Sequence, residues 1–168
     1  MSQAVVIPPD GGNRADFGGL GIHWKLFGSH TGGLFAIVHH PLKPRALAAP
    51  LHRHRNEDEY SYVLEGTLGA LLGDERVSAG VGTWICKPRG QWHTFWNDGD
   101  QPCHIIEVIS PAGFEHYFEE LATALGNLER MAEVRQKYQL EVDISSVPAL
   151  CERFGLTFPM RPSTGNQR

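Results

Sequence analysis

Hydrophobic residues between positions 22 and 110 occur in short runs, some alternating with polar residues and some continuous, that are separated by turn-forming residues. The runs cover residues 22–28, 34–40, 60–64, 67–72, 75–78, 82–87, 92–97 and 103–110. Runs of this length and spacing are typical of an antiparallel sandwich or barrel. Turn signals at Gly73-Asp74 and at 97–100 join neighbouring runs. The pattern therefore predicts an all-β domain over residues 22–110.

The pattern changes on both sides of this domain. Residues 1–21 are rich in Gly, Pro and Asp, which predicts an irregular N-terminal arm that covers a sheet edge. In the remainder, 111–168, apolar residues recur at helical spacing over 114–125, and further helices are predicted over 128–139 and 145–154. We expect this C-terminal helical extension to pack on the outside of the β domain or against a partner subunit.

Composition and charge exclude several classes of protein. A length of 168 residues suits one domain with a sizeable core, and no run of eighteen apolar residues is present to span a bilayer. The formal net charge of -4 and the absence of a Lys/Arg block argue against a nucleic-acid surface. The first residues lack the basic and apolar segments of a secretory signal, and the three cysteines are far apart. We therefore expect a cytoplasmic protein with reduced thiols and no membrane or nucleic-acid partner.

A cluster of metal-ligating residue types is the most specific chemical feature of the sequence. His52, His54 and His93 supply imidazoles, and Glu59 supplies a carboxylate for which Glu57 and Asp58 compete. Side chains two apart on a strand point to one face, so the two histidines of His52-Arg53-His54 can hold the same ion. Imidazole and carboxylate ligands suit several first-row metals, so Fe, Ni, Mn, Cu and Zn all remain open as the divalent transition metal.

The residues around these ligands have a characteristic spacing. The blocks read His52-x-His54-x4-Glu59-x6-Gly66 and Gly82-x5-Pro88-x-Gly90-x2-His93-x3-Asn97. This pattern resembles the two motifs of the cupin superfamily, and in particular small single-domain cupins similar to quercetin 2,3-dioxygenase. One position departs from the pattern, because Ala46 stands where a turn glycine usually precedes the first histidine.

The resemblance implies a double-stranded β-helix, that is, a jelly-roll barrel, with His52, His54, Glu59 and His93 as the metal ligands. Glu59 is preferred over its acidic neighbours because it alone has the family's distance to the flanking motif residues. Cupins commonly pair through the region of the strand that carries Glu59, so the resemblance also implies a homodimer.

Strand alternation predicts which side chains accompany the ligands. If Glu59 points inward, Val63 shares its face, and Phe95 shares the face of His93. A small barrel is filled by inward side chains, so packing explains Phe95 as well as substrate contact does. One of the two histidines that end the run 34–40 is expected at the mouth of the barrel. The predicted substrate pocket comprises Val63, Phe95 and His39.

Four protein ligands on an octahedral metal leave two adjacent positions for a substrate. Glu59, the only carboxylate among them, is then the candidate general base. The resemblance implies a dioxygenase that cleaves or oxidises a small phenolic or enolic, quercetin-like substrate. Two alternatives stay open: a redox-neutral lyase, isomerase or cyclase that uses the metal as a Lewis acid, and a non-catalytic cupin that binds a small ligand.

Overall fold

The computed structural model describes residues 4–159 of the chain. The strands are β1 Arg14–Asp16, β2 Gly21–Leu26, β3 Ala36–Leu42, β4 Leu51–His54, β5 Asp58–Glu65, β6 Leu68–Leu72, β7 Glu75–Ala79, β8 Trp84–Lys87, β9 His93–Asn97, β10 Cys103–Ser110 and β11 Leu140–Asp143. The helices are α1 Gly28–Thr31, α2 Glu115–Ala124, α3 Leu128–Lys137 and α4 Ser146–Phe154.

The strands form two antiparallel sheets. One sheet has the order β1-β2-β3-β10-β5-β8, and the other has the order β11-β4-β9-β6-β7. Neighbours in each sheet are often distant in the sequence, as in the pairing of β10 with both β3 and β5. Two such sheets followed by helices confirm the predicted all-β class with a C-terminal helical part, and the arrangement is consistent with a jelly roll.

The hydrophobic core lies between the sheets because the strands bury every second side chain. In β10 the side chains of Ile105, Glu107 and Ile109 are buried and their neighbours are only partly so. A second hydrophobic cluster lies between the five-stranded sheet and α4, where Trp96 stacks on Phe154 with ring centroids 4.6 Å apart. A side chain at Gly69 would collide with the Trp96 ring, so glycine is required there. The inner faces therefore carry both the core and the buried polar residues described below.

The strands that sequence patterning missed are short and lie next to polar segments. β4 contains two histidines and an arginine, so it lacks the apolar signal of the other runs. β11 follows α3, which ends at Lys137, and pairs with β4 along its whole length. The N-terminal arm also contains a strand, β1, which pairs with β2 at the edge of the six-stranded sheet. The C-terminal extension thus completes a sheet as well as adding helices.

The described helices include none that is long and apolar enough to cross a membrane.

Candidate metal centre

Three strands bring the predicted ligands together on the inner side of the molecule. β4 places His52 and His54 on its buried face, β5 places Glu59, and β9 places His93 opposite His52. One ligand atom from each of these four residues lies within 4.8 Å of the corresponding atoms of the others, and all four residues are buried. The structure therefore brings together one carboxylate and three imidazoles, which is a donor set suited to a transition metal.

Hydrogen bonds fix the orientation of two imidazoles. His52 Nδ1 lies 2.8 Å from the carbonyl oxygen of Pro50, and His93 Nδ1 lies 3.0 Å from that of Gln91. Because a carbonyl oxygen only accepts hydrogen bonds, each Nδ1 carries the proton. The Nε2 atom of each ring then bears the lone pair, as a metal ligand requires.

The remaining two candidate ligands, His54 and Glu59, are also positioned to share one ion with His93. His54 Nε2 lies 3.4 Å from Glu59 Oε1, and His93 Nε2 lies 3.3 Å from Glu59 Oε2. Both Nε2 atoms are buried without a hydrogen-bond partner among residues 4–159. Buried polar atoms are normally satisfied, so unpartnered nitrogens facing a carboxylate fit a bound metal.

The two acidic residues that compete with Glu59 have other places in the structure. Glu57 lies in the loop between β4 and β5 and is buried beside His54, with its Oε2 3.6 Å from His54 Nδ1. That contact suits a residue that orients a metal-ligating imidazole from behind. Asp58 instead pairs with Arg89 at the surface, at 2.7 Å.

The electrostatics of the cluster favour metal-binding protonation states. Burial lowers the pKa of His52 well below its usual range, and burial is also the main cause of the lowered pKa of His93. Burial alone would raise the pKa of Glu59, but the Lys87 ammonium holds it well below its usual range. Neutral imidazoles beside an ionised carboxylate are the forms that coordinate a cation.

Comparison with known proteins agrees with this site. Residues 38–109 match the cupin domain. All four candidate ligands lie inside the matched segment, which supports the cupin superfamily. No curated protein matches the sequence. The more specific resemblance to quercetin 2,3-dioxygenase-like proteins finds no support in these comparisons and stays a prediction.

Solved structures share the fold of the cupin domain. KdgF from Halomonas sp. superposes with a TM-score of 0.59 at 16% identity, covering 66% of this chain and 96% of that chain. Ectoine synthase from P. lautus superposes with a TM-score of 0.57 at 16% identity, covering 67% and 79%. Pac13 of Streptomyces, described as a nucleoside dehydratase, superposes with a TM-score of 0.54 at 13% identity, covering 66% of this chain and 85% of that chain. At these identities the likeness shows a common fold and no more.

A mainly apolar cavity adjoins the candidate metal centre. Its lining includes three of the ligands and the aromatic rings of Phe95, Phe114 and Phe118. Phe114 and Phe118 come from the C-terminal extension, and Leu140 of β11 also lines the cavity. The extension, expected on the outside of the barrel or against a partner, thus forms part of the cavity wall. Aromatic walls beside a metal exclude water and favour a substrate with an apolar part.

Two residues of the predicted substrate pocket do not line the cavity. The inner face of β3 carries His40, which is buried and lines the cavity, whereas His39 lies on the outer face with Nε2 2.9 Å from His104 Nδ1. Val63 points inward as predicted but is buried in the hydrophobic core away from the cavity wall. The prediction of His39 and Val63 in the pocket is therefore corrected, while Phe95 does line it.

A buried network of charged residues beside the metal centre was not predicted. Lys87 Nζ lies 3.0 Å from Glu59 Oε2 and 2.8 Å from Glu107 Oε2. Ser61 Oγ donates a second hydrogen bond to Glu107 Oε2, at 2.8 Å. Burial raises the pKa of Glu107 to about 7 against the opposing effect of Lys87. The signal in the sequence was a charged residue at an inward position of an alternating strand, as Glu107 is between Ile105 and Ile109.

Proposed function

We propose that the protein is a metal-dependent enzyme that acts on a small molecule held in the cavity. The observation that carries this proposal is the convergence of His52, His54, Glu59 and His93 within 4.8 Å at the wall of an apolar cavity. These four residues would hold a divalent transition metal. A bound ion would polarise the oxygen atoms of a substrate and lower the pKa of its hydroxyl groups.

The residues of the chain have distinct roles in this proposal. The imidazoles of His52 and His93 are held by backbone carbonyls and so keep their Nε2 atoms directed at the ion. Glu59 accepts the proton that the substrate releases, because its carboxylate is ionised and in reach of the same point. The rings of Phe95, Phe114 and Phe118 exclude water from the reacting atoms.

The first candidate reaction is oxygen-dependent cleavage or oxidation of a phenolic or enolic substrate. An apolar, aromatic cavity suits such a substrate, and the ligand set leaves room for a chelating pair of oxygens. The second candidate is a redox-neutral elimination, isomerisation or cyclisation. It is favoured by the buried pair of Lys87 and Glu107, because acid and base groups beside the metal are what proton transfer needs.

An oxygen electrode separates the two candidates. The protein is loaded with Fe²⁺, Ni²⁺, Cu²⁺, Mn²⁺ or Zn²⁺ and mixed with a panel of flavonols, catechols and 1,3-diketones. Oxygen uptake in proportion to substrate loss supports the dioxygenase, and turnover of the zinc form without oxygen supports the redox-neutral enzyme. Binding of these compounds without turnover in any of the metal forms would favour the non-catalytic alternative.

A matched pair of variants tests whether either activity depends on the candidate metal centre. His93→Ala removes a buried ligand, while His30→Ala changes an exposed histidine on α1. We expect His93→Ala to lose metal and turnover together and His30→Ala to retain both. Turnover that survives in metal-free His93→Ala would contradict the proposal.

A further inference from the structure

The two oxygens of the Glu107 carboxyl group have different surroundings. Glu107 is 1% exposed and lines the cavity beside the metal centre. Its Oε2 accepts hydrogen bonds from Ser61 Oγ and Lys87 Nζ, both at 2.8 Å. Its Oε1 is buried and has no hydrogen-bond partner among residues 4–159. The carboxyl group is thus anchored through Oε2, whereas Oε1 has no partner among these residues.

Packing alone does not explain a charged residue at this position. Glu107 occupies an inward site of β10 between two fully buried isoleucines, where an apolar side chain would complete the core. Burying a carboxyl group with an unsatisfied oxygen lowers stability, so such groups call for a partner outside the protein's own hydrogen bonds. In a ligand cavity, a few polar groups on an apolar wall fix the orientation of the ligand.

The position of Glu107 relative to the metal centre indicates which part of a ligand it contacts. One ammonium group, Lys87 Nζ, touches both Glu107 Oε2 and Glu59 Oε2, at 2.8 Å and 3.0 Å. Glu107 is therefore separated from the ligand Glu59 by a single side-chain group. A substrate group that contacts the Glu107 carboxyl group would therefore lie near the oxygens that the same substrate offers to a metal held by Glu59.

We propose that Glu107 is a substrate-binding residue whose Oε1 forms a hydrogen bond with a hydroxyl group adjacent to the metal-binding oxygens of the substrate. A hydroxyl group both donates and accepts hydrogen bonds, so it suits a carboxyl group in either protonation state. This inference rests on the proposed function and narrows its substrate class. The preferred substrate carries a third oxygen next to its chelating pair, as pyrogallol does and catechol does not.

The test compares these two probes on the cobalt-loaded protein without oxygen. The visible absorption of bound Co²⁺ reports each probe as it coordinates, and a titration gives its Kd. We expect the wild-type protein to bind pyrogallol roughly tenfold to a hundredfold more tightly than catechol, the range of a hydrogen bond to a charged group. Glu107→Leu should lose this preference, so that its Kd for pyrogallol approaches its Kd for catechol.

Two further variants show whether the effect belongs to the hydrogen bond. Ser61→Ala removes a contact of Glu107 Oε2 but leaves Oε1 in place, so it should keep the preference for pyrogallol. Glu107→Gln should keep only part of it, because a neutral amide forms a weaker hydrogen bond. Glu107→Gln serves alone if Glu107→Leu does not fold or bind cobalt. In that case, a decrease of threefold or more in the preference of Glu107→Gln for pyrogallol over catechol supports the hydrogen bond, and a smaller decrease overturns it.

The outcomes separate this inference from the proposed function. Equal binding of both probes by the wild-type protein, or a preference that survives in Glu107→Leu, overturns the inference and assigns Oε1 to a water molecule. If Glu107 had a purely structural role, its replacement would weaken the binding of both probes alike, and that result would also overturn the inference. Absence of bound cobalt in the wild type overturns the proposed metal-dependent function. No response of the cobalt absorption to either probe overturns its phenolic, oxygen-dependent form.

Discussion

Replacement of His40 by Asn should change how the stability of the protein depends on pH. His40 is 1% exposed, and its Nδ1 donates a hydrogen bond to the carbonyl oxygen of Gly21 at 3.0 Å. The side-chain amide of Asn places a donor near the same position but does not titrate. The variant therefore removes a proton-binding group while retaining a comparable contact.

The size of the effect follows from the pKa of His40. Burial lowers this pKa from 6.5 to about 4, against the opposing effect of the Gly21 hydrogen bond. Above pH 6.5 neither the folded nor the unfolded chain binds the proton. Between about pH 4 and pH 6.5 the unfolded chain binds the proton and the folded chain does not, so the free energy of unfolding falls as the pH falls. At about 1.4 kcal/mol per pKa unit, the loss attributable to His40 is about 2 kcal/mol at pH 5.

Urea unfolding at pH 7 and pH 5 measures this loss. A chelator keeps the protein metal-free, so that the ligand histidines titrate alike in the wild type and the variant. We expect the free energy of unfolding of the wild type to fall by about 2 kcal/mol more than that of His40→Asn. His30→Asn, at an exposed position, should follow the wild type. Equal losses in the wild type and His40→Asn would show that burial does not lower the pKa of His40.

Three further predictions concern the site and the surface. Glu59→Gln should retain part of the metal, because three imidazoles remain, but lower turnover by about a hundredfold or more; metal analysis and kcat on the responding substrate test this. Ala46→Gly removes a fully buried methyl group, so urea unfolding should show a loss of about 1–2 kcal/mol, and an unchanged midpoint would contradict it. The homodimer stays a prediction: sedimentation equilibrium should give twice the chain's mass, and Trp84→Glu, on the outer face beside exposed Leu64, should give the monomer.

The all-β class and the ligand set were predictable because both leave local signals in the sequence. The alternation in 103–110 appears in β10 as strictly alternating burial. The i, i+2 spacing of His52 and His54 requires a strand, and β4 provides it. β11 was not predictable in the same way, because its four residues gain their strand conformation by pairing with β4, which is remote in the sequence.

The corrected positions show where local patterning carries no information. The residues before His39 and His40 are apolar on both faces of β3, so alternation does not say which histidine points inward. Val63 has the predicted direction, but its depth in the core depends on the whole fold. Lys87 and Glu107 lie on different strands, and only the pairing of both β8 and β10 with β5 brings them together.

One metal ion should bind at His52, His54, Glu59 and His93. Elemental analysis of the purified protein, after equilibration with the candidate metals and removal of excess ion, measures this directly. We predict about one ion per chain in the wild type and in His30→Ala, and a large loss in His52→Ala and His93→Ala. The same metal content in all four proteins, or none in the wild type, would contradict the claim.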